Sequence, residues 1–186
     1  SGMVLVGGRD TRHWTVWQQA RAVGVLFQDF ESQLISTNVE QELAFTLNNL
    51  CPGLPPVERQ GRITETLAQV GLEGSQRRDP LSLSGGERQR LAIASILAPR
   101  PPVLVLDDPA TDLDPAGRAV LYALLRSLLE KGTTLVVTDR EADETRGTDQ
   151  ACLLSSGEIE WHGPAAGLLA QPTLMERHGV RPSPLA

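Results

Sequence analysis

Residues 81–108 read Leu-Ser-Leu-Ser-Gly-Gly-Glu-Arg-Gln-Arg-Leu-Ala-Ile-Ala-Ser-Ile-Leu-Ala-Pro-Arg-Pro-Pro-Val-Leu-Val-Leu-Asp-Asp, and they restrict the fold more than any other stretch of the chain. The first part is a polar glycine turn that opens into a helix. Ser84 and Glu87 have the Ser-x-x-Glu spacing of a capping box, in which each side chain satisfies a backbone N–H at the helix start. Leu91, Ala94 and Leu97 then recur on one face, as an amphipathic helix requires. Gly85 and Gly86 carry no side chains, so another molecule can approach the backbone closely. Free N–H groups and the positive end of the helix dipole make such a turn an anion site. Beyond a stiff Pro-Arg-Pro-Pro link, Val103 to Leu106 is an unbroken apolar run that ends in Asp107 and Asp108. That composition suits a parallel strand buried on both faces. Acids at its carboxyl end would stand in the crevice where open α/β sheets bind ligands.

Either half alone is common; the two in this order are specific. Leu83-Ser84-Gly85-Gly86-Glu87 resembles the signature motif of the ATP-binding cassette (ABC) ATPases, Val103 to Asp107 their Walker B strand, and Asp112-Leu113-Asp114 their D-loop. Val23 to Asp29, followed by Gln33-Leu34 and Thr37-Asn38-Val39-Glu40, resembles the Q-loop region of the energy-coupling-factor and cobalt-type transporter ATPases. The resemblance implies an α/β fold, a partial P-loop NTPase (RecA-like) core with an inserted helical subdomain. It implies ATP and Mg2+ as cofactors. Asp107 would hold the metal through water, and Gln28 would reach the metal and the attacking water. Asp108 would stand in the position of the general base, and Asp139 in that of the switch histidine. Ser84, Gly85, Gly86, Glu87 and Asp114 would face the nucleotide. The implied partners are a second ABC ATPase subunit, joined head to tail as a heterodimer or a tandem domain, and integral membrane transporter subunits, with no nucleic acid. The implied location is the cytoplasmic face of the membrane, as a peripheral protein.

A chain of 186 residues holds one domain, or one domain with an insert. The net charge of −6 argues against a general nucleic-acid binder or a binder of anionic membranes. No apolar run approaches the ~20 residues of a membrane-spanning helix, and no signal peptide opens the sequence. Cys51 and Cys152 have no metal or redox spacing, which suits a reducing setting.

Along the chain, Met3 to Val6 is expected as a short strand closed by Gly7-Gly8, and Val23 to Phe27 as a second strand. Trp14 and Trp17 are three apart, which suits one side of a helical turn; packing and ring stacking on a base both remain open. Thr37 and Glu40 have capping-box spacing before a helix carrying Val39, Leu43, Leu47 and Leu50. A second helix buries Ile63, Leu67 and Val70 and stops at Gly71. Residues 1–30 thus read as the first strands of the core, 31–98 as a helical insert, and 99–165 as the rest of the core. A helix with a Leu121, Leu124, Leu125, Leu128 and Leu129 stripe leads to a third buried strand, Thr134 to Thr138, and then to a closing hairpin around Gly157. Residues 166–186, rich in proline towards the end, read as a loosely held tail.

Three departures from the family pattern bear on mechanism. No Gly-x-x-x-x-Gly-Lys-Ser/Thr occurs, and the single lysine, Lys131, follows no glycine loop. Relative to that pattern the sequence begins after the P-loop, which was either left out or is truly absent. The second acid after the strand is Asp108 rather than glutamate. Losing one methylene retracts the carboxylate by roughly 1.5 Å, and a misplacement of about 1 Å can cost on the order of a hundredfold in rate. Asp139 would repel a phosphate where a histidine would donate to it. A subunit with an intact signature and a poor base serves its partner's site better than its own. The expectation is therefore an ATP-binding and hydrolysing subunit, or a fragment of one, powering an importer for a vitamin or metal ion. The alternative is a catalytically degenerate, non-hydrolytic partner subunit. A soluble cassette ATPase of DNA repair is disfavoured by the acidic balance and by the lack of coiled-coil heptads and zinc-type cysteine spacing.

Overall fold

The computed structural model describes residues 2–111, 113–140 and 147–180. The chain divides into two compact units, one running to Val137 and the other starting at Thr138.

In the first unit, a short antiparallel pair, β1 (Leu5–Val6) and β2 (Arg9–Asp10), precedes helix α1 (Val16–Ala22). Strand β3 (Val23–Leu26) follows directly, then helices α2 (Val39–Leu50), α3 (Pro56–Gln69) and α4 (Gly85–Leu97). Strand β4 (Val103–Asp107), helix α5 (Pro115–Glu130) and strand β5 (Thr134–Thr138) complete the order. The sheet runs β3-β4-β5. Strands β3 and β4 are parallel, with Val23 beside Val103 and Leu26 beside Leu106. Three helices separate these neighbours in sequence, as a parallel pair requires a long crossover.

One apolar core joins the layers. Leu26, Leu104 and Leu106 of the sheet are buried with Leu43 and Leu47 of α2, Ile63 and Leu67 of α3, and Leu91, Ile93 and Ala94 of α4. The apolar residues read at helical spacing face this core, apart from Leu50 of α2 and Leu129 of α5. Three expected details differ. Helix α2 is capped by Asn38, whose side chain accepts from the Gln41 amide at 2.8 Å, while the Thr37 hydroxyl donates to the Gln41 side chain at 2.9 Å. Asparagine is the stronger cap, so the start falls one residue later than the Thr37–Glu40 spacing implied. Neither β4 nor β5 is buried on both faces. In β4 only Leu104 and Leu106 are fully buried, and Val136 of β5 is half exposed. In α5 the buried residues are Leu121 and Leu125, and Leu129 is 37% exposed.

Glu42 sits among these apolar residues at 2% exposure. Its carboxylate accepts from the amides of Ile35 and Ser36 at 3.0 and 2.8 Å, so the charge is met by two backbone donors of the loop before α2.

The second unit contains a hairpin, β6 (Gln150–Ser155) and β7 (Glu158–Pro164), as the sequence suggested. Ser156 and Gly157 both have positive φ, 51° and 84°, the pattern that matches a two-residue turn to strand twist. Residues beyond 164 do not form a loose tail as far as residue 177. They form helices α6 (Ala165–Leu169) and α7 (Pro172–Arg177), and Leu168 and Met175 are buried against Leu153. Apolar spacing too short for a helical pattern hid these helices from the sequence reading; residues 181–186 lie outside the described residues.

Candidate functional site

The register of the two parallel strands assembles the first half of the site. The last paired residues are Leu26 and Leu106. One residue further stand Phe27 and Asp107, and two further stand Gln28 and Asp108, so Gln28 and both acids reach the same end of the sheet. Gln28 and Asp107 are exposed and Asp108 is half buried. Asp108 has φ +50°, a left-handed conformation that aspartate tolerates better than most residues.

The base of the loop that carries Gln28 is fixed by Gln33, a residue that local sequence patterning does not single out. The Phe27 amide donates to Gln33 Oε1 at 2.9 Å, and Gln33 Nε2 donates to the Val25 carbonyl at 3.0 Å. The Gln33 side chain thereby pairs with β3 as a further strand would. Replacing it by leucine removes both bonds. Gln33→Leu is expected to cost about 1–2 kcal/mol in urea unfolding and to speed hydrogen exchange at the Phe27 amide. Unchanged exchange there would show that the side chain does not fix the base of the loop.

The second half of the site is the start of α4. The capping box forms as expected: the Glu87 amide donates to Ser84 Oγ at 3.3 Å and the Ser84 amide to Glu87 Oε2 at 2.8 Å. Arg78 donates to the other oxygen of Glu87 at 2.8 Å and to the Ser82 carbonyl at 3.0 Å. The Ser84 amide, and then the Arg78 guanidinium, hold the Glu87 carboxyl at about 2, well below its usual range. A depressed pKa stabilises the fold above the unfolded value and loses that contribution as pH falls through the folded value. The wild type should thus be more stable than Glu87→Gln by about 1 kcal/mol at pH 7, the scale of a helix cap. The gap should close between pH ~4.5 and ~2 in matched urea titrations; a pH-independent gap would contradict the ionic cap.

Gly85 and Gly86 occupy the first turn of α4, where backbone N–H groups have no intrahelical acceptor. A Cβ placed on Gly85 would meet nothing within 4 Å, so the turn faces open space. A Cβ on Gly86 would lie 3.4 Å from Leu113 Cδ2, which brings the segment after the acids against the glycine turn. Asp114, expected to face nucleotide, caps α5 here: its Oδ1 accepts from the Gly117 amide at 2.8 Å. Asp112 lies outside the described residues. Gln89, given no role from sequence, is 1% exposed and donates from Nε2 to the Pro109 carbonyl at 2.6 Å, tying α4 to the loop after the acids. Asp139 directly follows β5 and is half buried; it belongs to the second unit.

The two halves offer complementary chemistry. The glycine turn presents amides to an anion with room for close approach. Asp107 and Gln28 offer oxygens suited to a hydrated hard cation. The amides suit the phosphates of a nucleotide, and the oxygens suit the magnesium that accompanies one. A parallel sheet with acids and an amide at its carboxyl ends, joined to a glycine-opened helix, defines an α/β nucleotide-binding domain of the P-loop NTPase class. Within that class the chain belongs to the ABC transporter ATPase family, whose profile matches residues 1–111.

Comparison with known proteins places it beside the energy-coupling-factor and cobalt types. It is 39% identical over 173 residues to the energy-coupling factor transporter ATP-binding protein EcfA1 of Symbiobacterium thermophilum, covering 92% of this chain and 60% of the relative. It is 36% identical over 181 residues to the cobalt import ATP-binding protein CbiO of Syntrophus aciditrophicus, covering 97% and 64%. The solved structure of CbiO1 from Clostridium perfringens, part of the ABC transporter complex CbiONQ, superposes with a TM-score of 0.80 at 27% identity, over 95% of this chain and 71% of that one. A dimeric ATP-binding cassette bound to ADP and phosphate in a post-hydrolysis state superposes with a TM-score of 0.78 at 28% identity, over 89% and 74%. The chain spans from about a third to just under two thirds of the length of these and other curated relatives.

Proposed function

We propose that this chain is an ATP-binding subunit, or part of one, of an ABC importer, and that it gives its glycine turn to the nucleotide held by a second ATPase subunit. The observation that carries this reading is the start of α4. Ser84 and Glu87 fix the turn, and Gly85 opens onto free space. The amides there would contact a nucleotide phosphate presented by the partner. Asp107 would hold magnesium through water and Gln28 would face the same cation. Magnesium supplies charge neutralisation on the phosphates when bound. The imported substrate is a vitamin or a metal ion, in keeping with the energy-coupling-factor and cobalt-import relatives. The helical insert, residues 31–98, would engage membrane subunits at the cytoplasmic face. Among the described residues no helix is long and apolar enough to cross a membrane itself.

Titration calorimetry with ATP and magnesium tests the reading. The chain alone should bind no ATP, and binding should appear on adding an ABC ATPase subunit that carries a complete P-loop. Tight binding by the chain alone would overturn the role in trans.

A second reading is a degenerate, non-hydrolytic subunit in a heterodimer with one competent site. Asp108 in place of glutamate, and Asp139 after β5, favour it. Single-turnover hydrolysis separates the two. Turnover by a self-dimer of the full-length protein at rates usual for the family would eliminate the second reading.

A further inference from the structure

Phe30 to Gln33 form a short 3-10 turn in the loop that carries Gln28, and Phe30 anchors that turn in the core. Next to it, Glu31 points at α4. Its Oε1 accepts from Arg88 Nε at 2.9 Å and from the same guanidinium's Nη2 at 2.8 Å. The third arm of Arg88, Nη1, donates to the Leu83 carbonyl at 2.7 Å. That carbonyl belongs to the same planar peptide as the Ser84 amide, and the Ser84 amide donates to Glu87. One peptide plane at the mouth of the signature turn is therefore gripped on both sides: its C=O by Arg88 and its N–H by Glu87.

The pairing with Glu31 has an electrostatic reason. Arg88 is the fourth residue of α4, near the positive end of the helix dipole, where a cation is disfavoured. A carboxylate beside it offsets that cost, and it aims the planar guanidinium, whose forked donors can serve two acceptors at once.

We infer that Glu31 and Arg88 are positioning residues through which the Gln28 loop sets the orientation of the Leu83–Ser84 peptide, and so of the glycine turn. Displacement of the loop withdraws Glu31, releases Arg88, and lets the peptide plane rotate. The geometry stands on its own; its use in nucleotide handling rests on the role in trans proposed above.

The test is amide hydrogen exchange at Ser84 in the chain and three variants: Glu31→Ala, Arg88→Met and the double. The amides of Leu43 and Leu47 in the core serve as internal references. Losing one charge-assisted bond should speed exchange at Ser84 about three- to tenfold in each single variant, with the references unmoved. The double variant should exchange no faster than Arg88→Met alone, because both changes break one chain of contacts. Unchanged exchange at Ser84 in Glu31→Ala, multiplicative effects in the double, or equal acceleration at Leu43 and Leu47 would each overturn the inference. A second readout separates it from the functional reading. With a P-loop-containing partner subunit, Glu31→Ala should raise the apparent KM for ATP several-fold and leave kcat near wild type. Exchange as expected with an unmoved KM would keep the positioning role and sink the role in trans.

Discussion

A Gly85→Val variant should keep the stability of the wild type and yet lose on the order of a hundredfold in ATP turnover when assembled with a P-loop-bearing partner. The stability half follows from geometry. A Cβ at this position meets nothing within 4 Å, and the residue has no positive φ that would penalise a branched side chain. The helix start is set by Ser84 and Glu87, which the substitution leaves in place. The functional half follows from the same open space. Two methyl groups would occupy the approach to the amides of the first turn and hold a phosphate away from them. Thermal unfolding checks the first half, and steady-state turnover of the mixed assembly checks the second. Turnover equal to wild type would show that nucleotide does not meet this turn. The neighbouring change is less clean, since a side chain at Gly86 would press on Leu113.

The second large effect is expected in the core, at Gly24. Its register partner on β4 is Leu104, and a Cβ there would come 2.7 Å from Leu104 Cδ2, 3.1 Å from Pro101 Cγ and 3.2 Å from the Ile96 carbonyl. The leucine can rotate, but the carbonyl belongs to the backbone of α4 and cannot give way without moving the helix. Gly24→Val should therefore destabilise the chain by about 3 kcal/mol, at the upper end of overpacking costs. For a chain of this size that lowers the melting temperature by roughly 6–12 °C. It should also disturb the site, because β3 and β4 carry Gln28 and Asp107 and α4 carries the glycine turn. A melting temperature within ~1 °C of wild type would mean that the strands and helix part easily at this point.

How much of this was legible in the sequence depended on whether the signal was local. The capping box at Ser84 and Glu87 is two residues three apart, and it was read directly. The buried faces of α2, α3 and α4 follow from apolar residues at helical spacing. The acids after Leu106 were readable because an apolar run stopped at them. The roles of Gln33, Gln89 and Glu42 were not readable. Each is a polar side chain whose partners lie elsewhere: Gln33 serves the end of β3, Gln89 reaches Pro109, and Glu42 serves the loop before its own helix. A periodicity argument sees such residues only as interruptions. The start of α2 lies one residue past the one that the Thr37–Glu40 spacing predicts, because two cap-forming side chains stand side by side at Thr37 and Asn38. Helices α6 and α7 leave no periodic signal because each is too short to show one.

Because the Gln33 side chain closes the edge of β3, residues 28–32 hang between two pinned points, the end of the strand and the glutamine that mimics its neighbour. Within that span Phe30 is held in the core and Glu31 by Arg88, so a change of composition that leaves the sheet unaltered falls to the exposed Asp29 and Ser32. Natural variation at those two positions can thus retune the exposed surface of this loop while the strands underneath stay the same.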